Sequence, residues 1–151
     1  MDLEKEYFFQ RKYLENIELL SDKDGAVLIV SEFTGNDDVS MFFKERGFEV
    51  THIGNSDFLS LEKGGYNVIV AENLFNKLKI DELEKYLKKA ALLLNGGGVL
   101  ITFFLSEKDG DKEGFEFLSN RDLETEFGKH FDVEHIRTMM DGTRKVIVIK
   151  K

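Results

Sequence analysis

Apolar positions along the chain fall into two kinds of run, and the two kinds alternate. Ala26-Val27-Leu28-Ile29-Val30 is continuous and rich in β-branched residues. Such a run predicts a strand buried on both faces, as in parallel sheets flanked by helices. It empties into the polar turn Ser31-Glu32-Phe33-Thr34-Gly35, and a helix is expected from Asp37 to Arg46. Acid at Asp37-Asp38 suits the start of that helix, and Arg46-Gly47 suits its end. Phe48 to Ile53 alternates and predicts a second strand, Asp57 to Glu62 a short helix or loop, and Tyr66 to Ala71 a third, buried strand. This succession implies parallel pairing with right-handed crossovers.

Ile80 to Leu94 carries the clearest helical pattern, with Ile80, Leu83, Tyr86, Leu87, Ala90, Ala91 and Leu94 on one face. Asn95-Gly96-Gly97-Gly98 is expected to cap it, and Val99 to Phe104 to form the fourth strand. Three adjacent glycines suggest a phosphate loop, but they follow a helix and precede a strand, the reverse of what phosphate binding needs. Ser119 with Asp122 resembles a capping box and opens a helix from Arg121 to about Gly128. Phe131 to Arg137 and Arg144 to Ile149 read as strands joined by a hairpin turn at Asp141-Gly142. Before all of these, Leu3 to Leu20 has the spacing of an amphipathic helix that covers the core or serves as a lid. Leu105 to Gly114 reads as a mobile loop over the strand ends.

Composition narrows the function classes. At 151 residues, with 42% hydrophobic and 33% charged residues, the expectation is one folded domain over 1–151, its covering helix within 1–20. A net charge of −8 disfavours nucleic acid as a partner. Absence of cysteine excludes disulfides and thiolate chemistry and fits a cytoplasmic location. No apolar run has the length to span a bilayer, and the acidic start Met1-Asp2-Leu3-Glu4 is unlike a signal peptide. His52, His130 and His135 lack metal-site spacing, so structural roles are expected for them and no metal.

Glu32, Asp57 and Glu72 each fall at or just beyond the carboxyl end of an expected parallel strand. With Thr34, Asn55, Ser56 and Asn73 they would line one crevice, where acids and amides suit a ligand bearing hydroxyls or amines. The structural alternative is that Glu32 and Glu72 are exposed loop acids and that Asp57 caps the short helix.

Several segments carry a family resemblance. Leu92 to Thr102 passes from helix to strand through Asn95-Gly96-Gly97-Gly98. Phe117-Leu118-Ser119 through Glu126-Phe127, followed by Phe131 to His135, reads as a last helix and closing strands. Tyr66 to Phe75 reads as a buried strand with a polar exit, and Phe42 to Val50 as a first helix and second strand. Together they resemble the class I, Rossmann-like S-adenosylmethionine-dependent methyltransferases over nearly the whole chain.

That resemblance implies a three-layer α/β sandwich with a mainly parallel sheet and an antiparallel carboxyl-terminal hairpin. It also implies S-adenosylmethionine as cofactor, with Glu32, Thr34, Gly35, Asn55, Asp57, Phe58, Glu72 and Asn73 around it. Asp57 and Phe58 would flank the adenine, Thr34 and Gly35 would approach the ribose or methionine, and Glu72 or Asn73 would orient the acceptor.

The departures fall on the cofactor motif. Where the family reads Val-Leu-Asp-Leu-Gly-Cys-Gly-Thr-Gly, this chain reads Val27-Leu28-Ile29-Val30-Ser31-Glu32-Phe33-Thr34-Gly35. Ser31 and Phe33 replace glycines that let the backbone approach the ligand. Glu32 adds a carboxylate near the cofactor's own, and Gly54 stands where an acid holds the ribose. Between Gly54 and Tyr66 there is no room for the usual helix and strand, which leaves six strands ordered second, first, third, fourth and then the hairpin. Two function classes follow: an eroded site that binds a protein or small molecule, and an active small-molecule methyltransferase with a remodelled pocket. A flavodoxin-like or receiver module is weaker, because Asp37-Asp38 lies too far beyond the first strand.

Overall fold

Strands and helices alternate along the chain in the computed structural model, which describes residues 25–31, 38–72, 74–104, 118–139 and 142–150. The strands are β1 (Ala26–Val30), β2 (Glu49–Ile53), β3 (Tyr66–Ala71), β4 (Leu94–Phe104), β5 (Asp132–Thr138) and β6 (Arg144–Ile149). The α-helices are α1 (Asp38–Lys44), α2 (Ile80–Leu93) and α3 (Asn120–Gly128), with 3-10 turns at Asn55–Asp57 and Phe75–Lys77. The expected amino-terminal helix, the loop after β4, and Glu32, Thr34, Gly35 and Asn73 lie outside the described residues.

All six strands form one sheet in the order β2-β1-β3-β4-β6-β5. β2, β1, β3 and β4 are parallel; β6 runs antiparallel to both β4 and β5. The expected order therefore holds, including the direct passage from β2 to β3 with no strand between. β1 and β3 are covered on both faces, which is why each reads as an apolar run, interrupted only by half-buried Asn67 in β3. Leu28, Val30, Ile69, Ala71, Leu100 and Phe104 pack towards Leu83, Leu87 and Ala90 of α2 and Leu123 and Phe127 of α3. Val27, Ile29, Val68, Val70, Val99 and Ile101 pack on the other side with Phe42 and Phe43 of α1 and Phe48.

Two local signals act as the sequence suggests. Asp122 N–H donates to Ser119 Oγ at 3.1 Å and Ser119 N–H to Asp122 Oδ2 at 3.0 Å, closing the capping box of α3. Arg46 Nη1 donates to Phe42 O at 2.8 Å just past α1, with the guanidinium 3.8 Å from the centre of the Phe42 ring.

The glycine run corrects an expectation. It does not cap α2, because the helix stops at Leu93 and β4 begins at Leu94, whose backbone is already extended at φ −84° and ψ 143°. Gly97 has φ +79°, and a Cβ on Gly98 would lie 2.8 Å from Asn95 O. The glycines thus form an irregular start to β4, pinned to the last strand by Gly97 N–H to Lys150 O at 3.1 Å and Lys150 N–H to Gly98 O at 2.9 Å.

Candidate functional site

The carboxyl ends of the parallel strands define the crevice that the topology offers a ligand. Two hydrogen bonds extend the ladder past the strands and hold three ends level. Ser31 N–H donates to Ile53 O at 3.1 Å, and Glu72 N–H donates to Val30 O at 3.1 Å. Side chains alternate along a strand. Ser31 follows Val27 and Ile29, His52 follows Val50, and Glu72 follows Val68 and Val70, so all three fall on the α1 side.

Ser31 is buried, and its Oγ lies 3.0 Å from Nε2 of half-buried His52. One tautomer of the imidazole accepts the hydroxyl proton and the other donates to the hydroxyl oxygen. The distance matches that of a nucleophile and its base. Among the described residues, however, the ring has no hydrogen-bond partner besides Ser31, so no carboxylate orients it. The bond ties the end of β1 to β2.

The described sequence-predicted residues differ in burial. Asn55 is half-buried at the start of the 3-10 turn, and Asp57 ends that turn exposed, its N–H donating to Gly54 O at 3.1 Å. Gly54 occupies the capping position with no side-chain cap, so Asp57 is not the cap that the structural alternative made it. Glu72 is half-buried beside Ser31's strand end. Phe58 is fully buried, its ring parallel to Tyr86 at 6.1 Å and edge-on to Phe75 at 6.2 Å. Its ring has no exposed surface.

Sequence reasoning missed two things here. The Ser31–His52 bond depends on parallel register, and the one available signal was that alternation puts both on one face. Arg144 and Lys145, read simply as the start of a strand, are buried; Arg144 Nη1 donates to Leu118 O at 2.6 Å and to Asn120 Oδ1 at 3.0 Å. Among the described residues no three His, Cys, Asp or Glu side chains are grouped to hold a metal ion. No described helix is long and apolar enough to cross a membrane.

No protein-family model matches the sequence, and no curated protein does. Solved structures do match the fold. The mitomycin 7-O-methyltransferase MmcR superposes with a TM-score of 0.66 at 12% identity, over 86% of this chain and 50% of its own. PigF with SAH gives 0.61 at 14% identity, over 95% of this chain and 56% of its own. The fold is that of the class I methyltransferases. The PH0226 protein from Pyrococcus horikoshii OT3 gives 0.64 at 14% identity, over 96% of this chain and 91% of its own. This chain thus spans about half the length of MmcR and PigF. In this chain the residue that leaves β1, Ser31, carries a side chain hydrogen-bonded to His52.

Proposed function

We propose that this chain is a methyltransferase-fold protein whose S-adenosylmethionine seat is eroded, and that it acts by binding a partner or small ligand without methyl transfer. The Ser31–His52 hydrogen bond carries this reading. A cofactor lying along the turn after β1 needs bare peptide to approach, and here it meets a hydroxyl and an imidazole joined at 3.0 Å. Gly54 offers no carboxylate to ribose hydroxyls at the end of β2. Phe58 gives no free ring face for an adenine, since it is fully buried beside Tyr86 and Phe75. These three features together do not fit the cofactor.

Exposed Asp57 with Asn55 and Glu72, joined by Glu32, Thr34, Gly35 and Asn73, remains the candidate lining for whatever ligand binds. Such acids and amides suit hydroxyls and amines. A second reading draws on the neighbours: MmcR is a 7-O-methyltransferase and PigF binds SAH, so an active small-molecule methyltransferase with a remodelled pocket is the alternative. Restoring glycine separates the two. Ser31→Gly combined with Phe33→Gly should give a thermal shift with S-adenosylmethionine that the parent chain lacks. A parent chain that already shifts, and loses the shift on substitution, would favour the active enzyme.

A further inference from the structure

The two edges of the sheet are built differently. β5 carries a register shift between Val133 and His135 and the exposed charges Asp132, Glu134 and Arg137, devices that discourage pairing with another chain. β2 has fewer of them. Its five residues run in unbroken register with β1, contain no Lys, Pro or Gly, and carry one charge, Glu49.

Its hydrogen bonds say which groups face outward. Glu49 N–H donates inward to Gly25 O at 3.2 Å, and Ile53 O accepts inward from Ser31 N–H. In a parallel ladder alternate residues serve one neighbour, so Val50 and His52 direct their backbone N–H and C=O away from β1. Among the described residues those groups have no partner.

We propose that β2 pairs with the β2 of a second copy of this chain, antiparallel about Thr51, to make one continuous sheet. The strand is complementary to itself in that register. Val50 of each copy exchanges both backbone hydrogen bonds with the mate's His52. Thr51 faces Thr51 on the two-fold axis, a favourable cross-strand pair, and Glu49 faces Ile53, so no like charges oppose. Centring on Val50 or His52 instead leaves two of the five residues without a mate. Only backbone groups of His52 are used, which leaves its bond to Ser31 in place. A five-residue ladder is a small interface, so the association is a concentration-dependent equilibrium.

Sedimentation equilibrium of the full chain between about 10 μM and about 1 mM tests this. The parent chain should show a reversible monomer–dimer equilibrium. Thr51→Lys and Thr51→Glu should each weaken it at least about tenfold, through like charges meeting on the axis. Mixed one to one, the two variants should recover the dimer, because Lys then faces Glu. Thr51 is exposed, and unchanged far-ultraviolet circular dichroism in both variants checks that the fold persists. A parent chain monomeric throughout the range would overturn the proposal. So would a dimer indifferent to either substitution, or variants that fail to associate when mixed.

Discussion

Phe58 lies one residue beyond exposed Asp57, yet the two have opposite physical roles. Phe58 makes ring contacts with Tyr86 and Phe75 and has no exposed surface. Phe58→Ala should lower the unfolding free energy by about 3–5 kcal/mol, read as a lower urea midpoint with an unchanged slope. Asp57→Ala should change it by no more than about 0.5 kcal/mol, since the side chain is exposed. Neither difference was legible from the sequence, where both residues sit in one polar-flanked segment. Ser31 and His52 illustrate the same limit. They are 21 positions apart, and only the pairing Ile29↔His52 brings them within hydrogen-bond distance. Arg144 was illegible for a related reason: its burial comes from Leu118 and Asn120, on a different element.

At the scale of elements, local chemistry was readable where the partners are close in sequence. The Ser119–Asp122 box involves residues three apart and could be seen in advance. Ser119→Ala should cost about 1 kcal/mol, a fall of roughly 2–4 °C in melting temperature for a chain of this size. The glycine run was read as a helix cap because Gly after a helix usually is one. Its actual conformation is set by β6 through Lys150, more than fifty positions away, and by the approach of Asn95 O to Gly98. Gly98→Ala should therefore destabilise by about 1–3 kcal/mol through that clash. Gly96→Ala should cost within about 0.5 kcal/mol, since a Cβ there meets nothing within 4 Å. Denaturant titration of the two variants side by side gives the comparison.

Across the whole molecule, strand order was recoverable because few arrangements satisfy unbroken apolar runs, right-handed crossovers and one terminal hairpin together. Those constraints still allow several orders, and the order β2-β1-β3-β4-β6-β5 was expected from the resemblance to the methyltransferase fold with one edge strand lost. What the crevice binds was not recoverable, because the fold places a site without fixing its chemistry. The proposal that it is not S-adenosylmethionine rests on side chains at that edge: Ser31 is bonded to His52, Gly54 carries no carboxylate, and Phe58 is enclosed by the core. Calorimetric titration of the parent chain with S-adenosylmethionine, and separately with its demethylated product, addresses this most directly. The expected result is no heat of binding for either, up to about 1 mM ligand. Saturable binding of either compound in the micromolar range would contradict an eroded site.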